Sequence, residues 1–332
     1  MIGKKSEKFL LLLKTNVTIF ICRMRCNMNN FLLGEYIRRK RLDLGLTQEE
    51  VCDGICEPIT LSRIENNKQT PGRNRINAIL ERLGLPADRY YALLTSNEID
   101  IESLKKDIIS CNVTKNVQEC RMKIIDLEKK ISEDDNLTKQ FILRTKIIIG
   151  HFEKSISLSD ELDLLIQAIK MTVPRFDINE IERGLYTVEE LKIINQIGIT
   201  YSNLDENRKA ADIYYQLLRY IRKHIQEVII SSGIIPLILF NYARILDLSG
   251  RYDEGFIYAH RGQEACVKYG HYQCLPGCLA IKAECAHFLH NDADSQSLYR
   301  QAYYLYCAIG DLRNKANIEN EAKKYHKMSF ND

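Results

Sequence analysis

Six side chains of the types that hold zinc lie between positions 271 and 290: His271, Cys274, Cys278, Cys285, His287 and His290. Zinc needs several such groups converging on one point. Cys285 and His287 are two residues apart, which on a helix sends them to different sides. Cysteine pairs at the spacing of Cys274 and Cys278 recur as Cys22 with Cys26 and Cys52 with Cys56, so that spacing is not peculiar to this stretch. No metal and no cofactor is therefore expected. Nucleotide loops, nucleophile elbows and paired-carboxylate motifs are all missing from the sequence, which argues against an enzyme. The basic run from Arg38 to Arg41, considered alone, reads as a solvated helix face.

The elements that would position such groups are legible from Leu32 onward. Leu33, Ile37, Arg41 and Leu44 recur at helical spacing and Gly45 closes the helix. Thr47 followed by Glu50 is a capping box that starts a second helix, ending near Asp53 and Gly54. Pro58 suits the first position of a third helix, in which Leu61 and Ile64 form a narrow apolar stripe. After a loop at Asn66, Asn67, Pro71 and Gly72, the residues Ile76, Ile79, Leu80 and Leu83 form a fourth apolar face, stopped by Gly84 and Pro86. Four short helices in about 55 residues predict a compact bundle.

Beyond Tyr90 amphipathic helices are expected at 99–111, 114–132, 137–153, 160–172 and 187–203, then in pairs to about 328. The Ile-rich run 228–235 has no strand partner and reads as a helix start and turn. Small or apolar residues recur in triplets spaced twelve and then seven apart: Gly198, Ala210, Leu217; Ala243, Gly255, Gly262; Ala283, Ser295, Ala302. That spacing puts one small residue on the first helix of an antiparallel pair and two on the second, where the helices cross. Residues 241–265 are the clearest unit.

The chain has 332 residues, 45% hydrophobic and 27% charged, with only six Pro. This is globular, helix-rich composition. Its net charge of +3 is unevenly distributed: residues 1–30 carry +5, 31–90 carry +1 and 91–332 carry −3. Eleven cysteines without a regular framework suit reduced thiols in a cytoplasm. The leader at 1–30 has a basic start and an apolar stretch interrupted by Lys14, Thr15 and Asn16. Three readings fit it: an unstructured extension with the working start at Met28, a membrane or export signal, and a partner-binding arm.

Residues 32–86 resemble the helix-turn-helix domain of the Xre/Cro family of repressors. The resemblance rests on Leu44-Gly45-Leu46, Thr47-Gln48-Glu49-Glu50 and Ser62-Arg63-Ile64-Glu65-Asn66, in the right order and at the right separations. It implies that the third helix enters the major groove of double-stranded DNA. Pro58, Ile59, Thr60, Ser62 and Arg63 then project outward, Arg63 able to donate twice to a guanine and Ile59 to pack on a thymine methyl. Gln48 would bond a phosphate, and Arg38, Arg39, Asn67 and Lys68 would add backbone contacts. A buried ion pair between Arg41 and Glu65 is also implied. The start of the third helix, Glu57-Pro58-Ile59, departs from the Gln, Ser or Thr of many members.

Residues 241–265 look like a tetratricopeptide repeat, and the other two triplets like degenerate copies. With the head, they resemble the PlcR and Rgg group of peptide-sensing regulators, which implies a homodimer whose repeat groove holds a short signalling peptide. Counting from the small residues, the groove positions include Asn195, Ile199, Ser202, Asn241, Arg244, Asp247, Glu284 and His287. An Asn amide both donates to and accepts from an extended backbone; equally, each Asn fits an ordinary exposed helix position. Arg244, Asp247 and Glu284 suit charged peptide groups or one another. The tyrosines at 299, 303, 304 and 306 suit packing between repeats or across a dimer seam.

The expected architecture is all-α: a leader at 1–30, a lambda-repressor-like bundle at 31–90, linker helices at 91–135 and a TPR-like α-solenoid at 136–328. The expected function is cytoplasmic, peptide-controlled transcription regulation without a membrane partner. Two alternatives stand beside it, a prophage- or antitoxin-type repressor whose helical half only dimerises, and a repeat scaffold with a vestigial head.

Overall fold

The computed structural model describes residues 33–69, 71–85, 96–114, 116–224 and 227–330; the leader and Pro86 lie outside them. Four short helices form the head: α1 (Leu33–Asp43), α2 (Gln48–Cys52), α3 (Pro58–Glu65) and α4 (Arg73–Arg82). Thr47 caps α2 as its residue types require. Its hydroxyl accepts the Glu50 N–H at 3.1 Å and the Glu50 carboxylate accepts the Thr47 N–H at 2.7 Å. Ile37, Val51, Leu61, Ile79, Leu80 and Leu83 fill the core between the helices. α1 and α3 approach so closely at Gly34 that a Cβ there would lie 1.9 Å from the Ile64 carbonyl oxygen.

The linker region is a helical hairpin, α5 (Ser96–Thr114) and α6 (Val117–Glu128), that shares an apolar core with α7 (Asn136–Glu153). Its two helices break later, and α6 ends earlier, than apolar spacing predicts. At the break the Thr114 hydroxyl turns back on the Ser110 and Cys111 carbonyls, and Asn116 caps α6 by accepting the Glu119 N–H. α8 (Leu158–Lys170) likewise begins two residues before its expected start, because Ser157 accepts the Asp160 N–H and caps it.

The repeats continue as α9 (Val188–Asn203), α10 (Asn207–Lys223), α11 (Glu227–Ser231), α12 (Ile234–Leu248), α13 (Tyr252–Tyr269), α14 (Leu275–Phe288), α15 (Asp292–Ala308) and α16 (Leu312–His326). α9/α10, α12/α13 and α14/α15 are the antiparallel pairs, and their first helices α9, α12 and α14 pack side by side. No strand occurs among the described residues, and the run 228–235 holds α11, a turn at Gly233 and the start of α12. The small residues lie at the crossings. A Cβ on Gly255 would sit 3.5 Å from the Ala243 carbonyl oxygen, and the Ser295 hydroxyl donates to the Ala283 carbonyl at 2.7 Å. In the first pair the vacancy at Gly198 is filled by the Tyr214 ring, whose hydroxyl donates to the Asn195 carbonyl at 2.8 Å.

Head and repeats join through α4. The Arg82 guanidinium donates through Nη1 to the Val51 and Asp53 carbonyls at 3.0 and 2.6 Å. Through Nη2 it reaches the Thr172 carbonyl at 2.9 Å and the Glu190 carboxylate at 3.3 Å. Both side chains of this pair are almost fully buried, at 2% and 0% exposure. Glu190 also accepts the Thr172 hydroxyl at 2.6 Å and the Thr187 N–H at 2.7 Å, the second being the capping box of α9. The preceding residue of α4, Glu81, accepts the Val188 N–H at 3.1 Å. Arg82→Met leaves the Glu190 carboxylate buried without its cation and is expected to cost about 3–5 kcal/mol, whereas Arg82→Met with Glu190→Leu costs less. Urea unfolding of the two variants is the check, and a double variant no more stable than the single would refute a strong coupling of this pair.

Candidate nucleic-acid interface and repeat groove

α3 is held by a fork of charge-assisted bonds. Arg41 Nε and Nη2 lie 2.6 and 2.9 Å from the two Glu65 carboxylate oxygens, and Arg41 Nη1 donates to the Leu46 carbonyl at 2.8 Å. The pair implied by the resemblance is thus present, buried and bidentate, a geometry that fixes the angle between α1 and α3 as well as their distance. The guanidinium pKa is raised by its bond to Glu65. Gln48 joins the same carboxylate, its amide donating to Glu65 Oε2 at 2.7 Å. Expected as a phosphate contact, it is in this structure a third member of the internal network.

With Leu61, Ile64 and Glu65 facing inward, α3 turns its other side to solvent. Ile59 is 60% exposed, a large apolar surface left in water, and Arg63 is exposed one turn further on. Pro58, Thr60 and Ser62 flank them, half-buried. Arg38 and Arg39 on α1 and Lys68 after α3 are exposed on the surface of the head. Asn67 adopts a left-handed backbone, φ +56°, and its side-chain oxygen accepts the Gly34 N–H at 3.3 Å, so it also closes the α1–α3 contact. The arrangement offers a helix with an exposed apolar residue, an exposed guanidinium and flanking cations, the groups that read a thymine methyl, a guanine edge and the phosphates.

In the repeats the structure brings Asn195 of α9 and Asn241 of α12 together. Asn241 Nδ2 donates to Asn195 Oδ1 at 2.9 Å, and both residues are buried. Their amides are therefore spent partly on each other in this arrangement, and reach a ligand only through their remaining donors and acceptors. Ile199 and Ser202 are half-buried, the Ser202 hydroxyl being bonded to Asn207 at 2.9 Å, and Arg244 is exposed. Asp247 accepts the Cys285 thiol at 3.4 Å, and Glu284 accepts the Tyr325 hydroxyl at 2.9 Å.

Glu321 of α16 completes an acidic group with Asp247 and Glu284. Burial, then the neighbouring Glu284 charge, pushes both Asp247 and Glu321 up to about 7. The Tyr299 hydroxyl close to these carboxylates is buried without a hydrogen-bond partner among the described residues. Sequence reasoning missed Glu321 because α16 lies beyond the third triplet, and read Tyr299 of α15 as a packing residue only. It missed Arg82 because a cation in the last turn of a helix is ordinary. The Thr187–Glu190 capping box was the readable signal for its partner. A cleft of about 1010 Å³ lies elsewhere, at the junction of head and repeats, lined by Glu57, Pro58, Arg82, Arg175, Arg183 and His224 among others.

Residues 37–90 match the helix-turn-helix family HTH_3, so the head is a helix-turn-helix domain. No curated protein matches the chain. Among solved structures, Bacillus thuringiensis PlcR in complex with the peptide PapR7 and DNA is similar with a TM-score of 0.59 at 20% identity, over 87% of this chain and 99% of that one. The apo form of PlcR gives 0.57 at 18%, over 87% and 98%. Apo ComR from Streptococcus vestibularis gives 0.51 at 14%, over 88% and 97%. The chain shares their fold, a helix-turn-helix head followed by a TPR-like helical solenoid.

Carboxylates whose folded pKa is raised retain protons that the unfolded chain has released, so their stabilisation is complete below the unfolded pKa and is lost as pH rises through the folded one. Asp247 and Glu321, with unfolded values of 3.8 and 4.5, both act in this sense. So does Glu81, pushed up to about 7 chiefly by burial. The melting temperature is expected to fall between about pH 5 and about pH 8, and Asp247→Asn to flatten that slope. A melting temperature that rises over the interval in the unaltered chain would contradict the assignment.

Proposed function

We propose that this helix-turn-helix chain is a sequence-specific transcriptional regulator that binds double-stranded DNA as a homodimer and is controlled by a short peptide in its repeat groove. The observation that carries the reading is the outward face of α3, with Ile59 and Arg63 exposed on a helix fixed from behind by the Arg41–Glu65 fork. A head with so little net charge gains little from nonspecific attraction, so placed groups and two cooperating heads must supply affinity. Arg82 supports the control, since it ties Val51 and Asp53, just ahead of α3, to Thr172 and Glu190 in the repeats. A ligand that binds one arrangement of α8 and α9 better than another shifts the heads by that difference in affinity. The fold shared with PlcR, solved with a peptide and DNA, supports the same ligand class.

One observation favours the rival reading, in which the helical half only dimerises: Asn195 and Asn241 already bond each other. Binding to the DNA upstream of its own gene, followed by fluorescence anisotropy, separates the cases. Arg63→Ala is expected to cost about 1–3 kcal/mol on the specific site and much less on unrelated DNA. Unchanged specific affinity would remove α3 as the reader. Adding synthetic peptides from any small secreted reading frame beside the gene should shift the DNA affinity, and Asn195→Ala with Asn241→Ala should abolish the shift. Loss of DNA binding in Arg63→Ala with no peptide response in the unaltered chain would establish the rival.

A further inference from the structure

The far end of the solenoid holds a cluster that shares only His287 with the groove positions expected from the sequence, its other two members being Asp292 and His326. His287 lies in the last turn of α14, Asp292 is the first residue of α15 and His326 is the last of α16. One ligand atom from each falls within 4.8 Å of the others.

Hydrogen-bond accounting at Ser295 decides what that cluster lacks. The Ser295 hydroxyl lies 2.7 Å from the Ala283 carbonyl and 2.7 Å from His326 Nε2. A carbonyl only accepts, so the single hydroxyl hydrogen goes to Ala283. Ser295 must then accept from His326, which places the ring hydrogen on Nε2 and leaves Nδ1 with a bare lone pair. That lone pair faces Asp292 Oδ1 at 3.7 Å, so two acceptors confront each other across a gap. The His326 side chain is 2% exposed, so water has little access to its side of the gap. His287 Nδ1 stands 3.0 Å from the same Asp292 oxygen.

We propose that His287 Nδ1, Asp292 Oδ1 and His326 Nδ1 bind a divalent transition-metal cation, with zinc the best match. In a tetrahedral zinc site with bonds of about 2.0–2.1 Å, neighbouring ligand atoms lie about 3.3 Å apart. The 3.0 and 3.7 Å separations straddle that figure. Two imidazoles exclude calcium and magnesium, which take oxygen ligands. Ser295 supplies the outer hydrogen bond that fixes the tautomer and aim of a ligating imidazole. The metal joins the last helix of the array to the pair before it, and the fourth coordination position is left to water. Neither histidine signals this alone, because His326 is far from the other two in sequence and no zinc spacing connects them.

The test uses the full chain after chelator treatment, titrated with Co(II) and then Zn(II). One equivalent of Co(II) should bind with the visible absorption of a tetrahedral nitrogen and oxygen site, and Zn(II) should displace it. Zn(II) should also raise the melting temperature. Asp292→Asn, at an exposed position, and His287→Gln, at a half-buried one, should each weaken binding by at least about tenfold while keeping the helical signal of the unaltered chain. Absence of binding at micromolar metal overturns the proposal. So does equal binding by both variants, or the charge-transfer absorption of thiolate ligands, which would put the metal on the cysteines at 266, 274 and 278.

Discussion

The Arg82 guanidinium sits where α4 meets α8 and α9, and its two terminal nitrogens serve opposite sides of the junction. Nη1 gathers the carbonyls of Val51 and Asp53, at the end of α2, and Nη2 takes the Thr172 carbonyl and the Glu190 carboxylate. The Arg82 Nε is buried without a hydrogen-bond partner among the described residues, so burial of the cation rests on these four acceptors and the position of each constrains the others. Gly54 shows how tight the junction is, since a Cβ there would lie 2.0 Å from the Thr172 carbonyl oxygen. The turn that precedes α3 is thus pressed against the repeat array. Motion of α8 or α9 has a short mechanical route to α3.

The same logic of matched polar groups runs through both halves. In the head, Glu65 accepts from Arg41 and Gln48, so that α3 is oriented by one carboxylate. In the repeats, Gln140 bonds Thr172 and the Ala168 carbonyl, and Thr172 in turn bonds Glu190. These bonds connect α7, α8 and α9 to the Arg82 site. Toward the other end the matching is incomplete. Asp247, Glu284 and Glu321 lie near a buried Tyr299 hydroxyl that has no partner among the described residues.

The legible part of the fold was local. Thr47 with Glu50 and Pro58 at a first helical position act within a single turn, so residue types and spacing suffice to place them. The twelve-and-seven spacing of small residues was readable for the same reason, because it follows from the length of one helical hairpin. Helix ends on apolar spacing alone were less accurate. Thr114 and Asn116 decide where α5 stops and α6 begins, and both act through side-chain bonds that hydrophobic periodicity does not register.

The site residues divide along the same line. Arg63 and Ile59 face outward because Leu61 and Ile64 face inward, which helix geometry decides once the stripe is known. Gln48 and Asn67 have the same polar character in sequence, yet each has an internal partner, Glu65 and Gly34, supplied by another helix. Asn195 and Asn241 lie 46 positions apart and meet only because α9 packs beside α12. By itself, then, the sequence determined the helices, their buried faces, the helix-turn-helix order and the repeat period, all set by interactions spanning a few residues. Only the tertiary structure decided which polar side chains remain open to a ligand and which are consumed internally, because the partners that consume them arrive from distant segments.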